Sequence, residues 1–256
     1  MYKVTSYPDK GKYITVESNF TELQYRINSY EDLFLMKSLK DANPNWTTVF
    51  IPCMFQQQHD RRFNKNESFE LKLVCDFINS LNFERVIIFH PHSDVASALL
   101  NNCEIVDNSR FIEKVLFKMK NFENTVLLSA DAGGFKPLIK LANVIEWEND
   151  TYSASKSRDA ETHKLTQVLD KQDFEGKDIL IVDDICVKGG TFLGLAKMLK
   201  ERNCGKLFLA ISHLTVEDPN PELFTTFDRV FTTNSKGIDY KVEGSGHDKV
   251  GFVPEI

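Results

Sequence analysis

The stretch ILIVDDICVKGGTF, residues 179–192, sets two adjacent carboxylates, Asp183 and Asp184, at the end of a run of apolar residues. Gly189, Gly190 and the hydroxyl of Thr191 follow within a few positions. A short apolar run bounded by turn signals reads as a buried strand, and the glycines as the turn into the next helix. In a parallel sheet, ligands collect beyond the carboxyl ends of the strands, where turns and helix N-termini present N–H groups. Glycine lets the backbone approach an anion closely, and Thr191 adds a hydroxyl. Two carboxylates beside such a cradle repel an anion unless they serve another partner, and a sugar with adjacent hydroxyls, or a metal ion, is that partner. A polar turn that merely joins strand to helix has the same residue types, so spacing alone leaves that reading open.

Other residues have chemical potential and a plain alternative each. Asp131 precedes Gly133-Gly134 in LLSADAGGFKPLIKLA (127–142), where it either meets a cation or caps the helix that follows. His90 and His92 stand two apart at the end of RVIIFHPHSD, with no third ligand of suitable spacing near them, which favours a phosphate or metal-water contact over a transition-metal site. Asp60-Arg61-Arg62 and Lys156-x-Arg158 supply cations for a polyanion, or decorate solvated loops.

The elements that must position these groups follow a βαβ rhythm. Strand-type runs occur at 46–53, 85–90, 124–130, 178–184 and 206–214, and helical three-and-four spacing of apolar residues at 68–81, 133–143 and 190–204. The expected fold class is α/β, a largely parallel sheet with helices on both sides. The segment 148–167 lacks apolar periodicity and is too long for an ordinary connection, so it reads as a mobile loop or β-flap.

At 256 residues and 42% hydrophobic content the chain can fill one large or two ordinary domains, and two are expected. A net charge of −6, from 31 basic and 37 acidic residues well mixed along the chain, gives no field for nucleic acid or an anionic membrane. The five cysteines, without a C-x-x-C pair, argue against a disulfide framework and for a reducing cytoplasm. No apolar leader and no long apolar span is present, so neither secretion nor membrane spanning is expected.

ILIVDDICVKGGTF resembles the ribose-phosphate loop of the phosphoribosyltransferase fold. LLSADAGGFKPLIKLA resembles the S-P-D-x-G-G segment of ribose-phosphate pyrophosphokinases, and residues 50–78 keep the frame of that family's ATP-binding region, with Asp60-Arg61-Arg62 in register. RVIIFHPHSD is similar to its strand ending in D-x-H. The chain is thus identified as a divergent member of the ribose-phosphate pyrophosphokinase family, and such divergence at a compact length suits a phage-borne one.

The resemblance implies two tandem phosphoribosyltransferase-like domains, 1–124 and 125–256, and magnesium-dependent transfer of diphosphate from ATP to the anomeric hydroxyl of a 5-phosphorylated ribose. It places Asp183 and Asp184 on the ribose hydroxyls or their magnesium, and Lys188, Gly189, Gly190 and Thr191 around the 5-phosphate. Asp131 and His92 fall at metal and ATP-phosphate contacts. Glu22, Gln58, His59, Asp60, Arg61 and Arg62 fall on the ATP side, and Lys156 and Arg158 on a catalytic loop. Homo-oligomers are expected by resemblance only.

The pattern breaks in both substrate regions. Gln56, Gln58 and His59 replace the family's Tyr, Arg and Gln, and Phe20 stands where Asn or Asp is usual. Val187 and Lys188 replace an Asp and a Thr beside the phosphate turn, making the local field more positive. That suits an acceptor with more than one phosphate, such as ADP-ribose. Two other functions compete: a phosphoribosyltransferase that consumes phosphoribosyl pyrophosphate, and a non-catalytic regulatory homologue.

Overall fold

The computed structural model describes residues 2–16, 21–119, 122–158 and 165–238, with backbone alone for 156–158 and 165–167. The chain divides into two compact units, one up to Asp107 and one from Asn108 onward. The sequence reading places residues 108–124 with the first half; by contacts they go with the second unit.

The first unit opens with an antiparallel hairpin, β1 (Tyr2–Ser6) and β2 (Lys12–Val16). A parallel sheet follows, built from β3 (Glu22–Gln24), α1 (Tyr30–Ala42), β4 (Thr48–Ile51), α2 (Glu70–Ser80), β5 (Arg85–Phe89), α3 (Asp94–Leu99) and β6 (Cys103–Val106), with strand order β3-β4-β5-β6. Helix α1 starts at a capping box, in which the Asp32 N–H donates to Ser29 Oγ at 3.3 Å and the Ser29 N–H donates to Asp32 Oδ2 at 2.8 Å. Its Leu33, Met36 and Leu39 and the Leu71, Val74, Cys75 and Ile78 stripe of α2 meet Val49, Ile51, Val86 and Ile88 of the sheet in one core.

The second unit comprises α4 (Ser109–Met119), β7 (Thr125–Ser129), α5 (Ala132–Val144), β8 (Thr151–Ser153), β9 (Ser155–Arg158), β10 (Leu165–Val168), β11 (Asp178–Cys186), α6 (Gly190–Lys200), β12 (Leu207–Leu214), α7 (Leu223–Thr226) and β13 (Arg229–Thr232). Five parallel strands run in the order β13-β12-β11-β7-β8, and β9 pairs antiparallel with β10. All eight residues of β12 are buried, as an interior strand covered on both faces requires. Phe192, Leu195, Ala196 and Leu199 of α6 pack with Val126, Leu128, Ile179, Ile181, Leu207 and Leu209. From β7 the chain moves to one side of the sheet, and from β11 to the other. The strand order therefore reverses between β7 and β11, the place where open α/β sheets leave a crevice beyond their strands.

Two expectations change in detail. The strand carrying the acidic pair runs on to Cys186 and does not stop at the acids, because β12 continues to pair with it after β7 has ended. Within 148–167, Thr151–Ser153 join the main sheet as β8 and the described residues after them form the ribbon β9–β10; residues 159–164 lie outside the described residues, as does Phe20. Among the described residues no helix is long and apolar enough to cross a membrane.

Candidate functional site

The acidic pair sits at the reversal of strand order. The last pairing of β11 with β7 is Val182 with Ser129, whereas β11 and β12 remain paired out to Cys186 with Leu214. Asp183 and Asp184 are thus the first residues of β11 without β7 beside them, and both are half-buried. The Asp184 N–H donates to Asp183 Oδ1 at 2.9 Å. Burial pushes the Asp183 carboxyl well above the usual carboxylate range; the negative charge of Asp184, a hydrogen bond with it, and the charge of Asp131 add to the rise. The carboxylate of Asp131, at the end of β7, is therefore close enough to be felt by Asp183.

Beyond the acids the chain makes the predicted turn. Gly189 is left-handed, with φ 83°, and is the N-cap of α6; the cap makes no side-chain hydrogen bond, and the first turn holds no acidic residue. A Cβ at Gly189 would lie 2.8 Å from Leu223 Cγ and Cδ2, while one at Gly190 meets nothing within 4 Å. Helix starts leave N–H groups without intrahelical partners and carry the positive end of the helix dipole. The turn thus offers donors and positive potential to an anion next to a sugar-binding pair of acids. The Lys188 ammonium donates to the Asp218 carbonyl at 3.3 Å. Burial pushes the Cys186 thiol up to about 12, which leaves it a neutral packing group and no nucleophile.

Asp131 does cap its helix: its Oδ1 accepts from the Gly134 N–H at 3.2 Å. Ser129 Oγ donates to the Asp131 carbonyl at 2.8 Å and lies 2.9 Å from Ser153 Oγ, so two hydroxyls brace the turn. The ribbon follows directly, with Lys156 paired to Gln167 and Arg158 to Leu165; the side chains of Lys156 and Arg158 lie outside what is described.

In the first unit, the segment after β4 and the turn after β5 meet. Gln57, buried to 4% exposure, accepts from the His92 N–H at 3.0 Å through Oε1 and donates to Cys53 Sγ at 3.3 Å. The Asp60 side chain is buried and takes two bonds from the exposed Arg61 guanidinium, Nε at 2.8 Å and Nη2 at 3.1 Å. Those bonds hold its carboxyl below the usual range against burial, and Ser93 and the nearby His92 pull the same way. Gln58, His59 and Arg62 are exposed on this loop, and His90 occupies a left-handed conformation, φ 38°. Glu22 is not brought to this group. It lies on β3 opposite Thr48, at the starting edge of the sheet, where its charge acts on Arg85.

Among the described residues no three His, Cys, Asp or Glu side chains are grouped to hold a metal ion. The donors near Asp183 are carboxylate oxygens, which suit a hard cation; magnesium commonly takes one or two carboxylates and completes its shell with water and substrate phosphates. Asp183 and Asp184 fit that partial role, and the repulsion among them and the nearby Asp131 would be relieved by a divalent charge. His92 belongs to the first unit and Asp131 to the second. Sequence reading missed Gln57, Ser153, Asp218 and Leu223, whose partners lie too far along the chain for spacing to signal them.

The model of the phosphoribosyl transferase domain matches residues 95–248. A ribose-phosphate pyrophosphokinase of Sulfurisphaera tokodaii is 23% identical over 242 residues, covering 90% of this chain and 82% of its own length. One of Aquifex aeolicus is 27% identical, covering 85% and 70%. The crystal structure of phosphoribosylpyrophosphate synthetase from Mycobacterium smegmatis superposes with a TM-score of 0.76 at 18% identity, over 92% of this chain and 80% of that one, which establishes a shared fold. With the family's model spanning more than half of its length, the chain belongs to the phosphoribosyl transferase domain family, as an enzyme similar to the ribose-phosphate pyrophosphokinases.

Proposed function

We propose that the chain transfers the β,γ-diphosphate of ATP to the anomeric hydroxyl of a 5-phosphorylated ribose, releasing AMP. The observation that carries this reading is the Asp183–Asp184 pair at the strand-order reversal, followed by a helix start whose N-cap, the left-handed Gly189, makes no side-chain hydrogen bond. The names of the relatives, ribose-phosphate pyrophosphokinases, support it.

In this reading Asp183 and Asp184 hold the ribose 2- and 3-hydroxyls, and the turn from Lys188 to Thr191 receives the 5-phosphate. Asp60, Arg61, Arg62, Gln58, His59 and His92 form the ATP side. Lys156 and Arg158, on the β9–β10 ribbon, are assigned to the transferring group. Displacement at phosphorus asks little covalent work of a protein; alignment of two polyanions and neutralisation of their charge account for the catalysis. Magnesium, when bound with ATP, would supply part of that neutralisation; Asp131 of the second unit is assigned to such a metal contact, and His92 of the first unit to an ATP-phosphate or metal contact. The exposed Lys188 supports a finer reading, in which the acceptor carries a second phosphate on its 5-position, as ADP-ribose does.

Incubation with ATP, magnesium and either ribose 5-phosphate or ADP-ribose, with AMP release followed by chromatography, tests both readings. AMP formed in an acceptor-dependent way is expected. Release with neither acceptor would defeat the reading, and equal or faster turnover of ribose 5-phosphate would remove the larger acceptor.

A further inference from the structure

The turn beyond the acidic pair is moulded on one later segment, residues 215–223, which touches it in three places. The Thr215 N–H donates to the Cys186 carbonyl at 3.0 Å, and Thr215 Oγ1 donates to the same oxygen at 3.2 Å. The Asp218 carbonyl accepts from Lys188. Leu223, with 1% exposure, fills the space under Gly189 that any side chain there would need.

The double bond at Cys186 is the informative one. Continuing the parallel ladder requires only the backbone donor; the hydroxyl is an addition, and it falls at the last residue before the turn. A trans peptide sets its C=O and N–H on opposite sides. With the Cys186 carbonyl clamped toward β12, the Val187 N–H is turned to the other side of the strand, the side that β7 has already left.

We infer that Thr215 is a positioning residue for the acceptor's phosphate: by fixing the Cys186 carbonyl twice, it sets the direction in which the turn from Val187 to Thr191 presents its N–H groups. The inference rests on the proposed role of that turn. Thr215 touches no reacting atom, so its loss acts on acceptor binding and leaves ATP binding alone.

The test compares Thr215→Val, Thr215→Ala and Thr215→Ser with the parent chain. Binding of ribose 5-phosphate and of inorganic phosphate is measured by calorimetry without ATP, and the KM values for acceptor and ATP are measured separately. Val and Ala, which remove the hydroxyl, are expected to weaken ribose 5-phosphate and phosphate binding and raise the acceptor KM about five- to tenfold, the scale of one lost hydrogen bond, with the ATP KM unchanged. Ser, which keeps the hydroxyl, restores the parent values. Thermal melts establish that each variant is folded. Val and Ala variants that bind as the parent does, or a Ser variant no better than Val, would overturn the inference while leaving the function standing. A parent chain that binds neither ribose 5-phosphate nor phosphate would overturn the inference, and one that in addition releases no AMP with ribose 5-phosphate or ADP-ribose would overturn the function with it.

Discussion

Asp183 is held in a place that disfavours its own charge. Its carboxyl titrates above the usual range because of burial and the charge of Asp184. A carboxyl with a raised folded-state value weakens the fold as pH rises from the ordinary carboxylate range up to that raised value, because the unfolded chain ionises first. Asp183→Asn is isosteric and keeps an oxygen to accept from the Asp184 N–H. The variant is expected to melt at a higher temperature than the parent at pH 7, with the difference closing near pH 4, as read by scanning calorimetry without ligands. The same variant is expected to lose acceptor turnover by about 100-fold or more, on the scale of losing one group preorganised at a charged site. Asp60 has the opposite sign. The Arg61 guanidinium lowers its carboxyl, so its contribution is present above the ordinary range and is lost as pH falls through the lowered value. Asp60→Asn is expected to cost about 1–2 kcal/mol at neutral pH in urea denaturation, with the gap shrinking in acid.

At the scale of elements, the turn between β11 and α6 separates two glycines that look equivalent in sequence. Gly189 adopts a left-handed conformation and has Leu223 against it, while Gly190 faces open space with ordinary φ. Gly189→Ala is expected to destabilise by about 1–3 kcal/mol from backbone strain alone, with the side-chain collision added. Gly190→Ala is expected to stay within about 0.5 kcal/mol of the parent, as a small substitution in open space should. Equilibrium urea unfolding of the two variants checks the contrast. The strand runs and helix stripes that positioned this turn were legible, since β4, β5, β7 and β12 and helices α2 and α6 fall within the segments marked by apolar spacing, and β11 and α5 overrun theirs by two residues at most. The elements that escaped include β3, β6, β8 and β13, three or four residues each, and the four-residue α7, too short to show a period; the hairpin β1–β2 and helices α1 and α3 also lie outside the marked segments. The eleven-residue α4 escaped as well, although its Phe111, Ile112, Val115 and Leu116 have helical spacing.

At the scale of the whole chain, each unit has its own core. Met36 belongs to the first and Leu195 to the second, both fully buried. Met36→Ala and Leu195→Ala are each expected to cost about 2–5 kcal/mol, as large-to-small core changes do. Hydrogen exchange read peptide by peptide should rise for Leu195→Ala in β7, β11 and β12 and stay near the parent rate in β4 and β5, with the reverse for Met36→Ala.

By itself the sequence determined the α/β class, the order of the main strands and helices, and the chemistry available at Asp183, Asp184 and the glycine turn, because periodicity, glycine and adjacent carboxylates are local properties of a chain. Only the tertiary structure decided that β11 outruns β7, that Glu22 lies at the opposite edge of its sheet from Asp60, and that Thr215 and Leu223 shape the turn. Those facts depend on which strands become neighbours and where each pairing ends, and contacts between residues tens of positions apart leave no spacing to read.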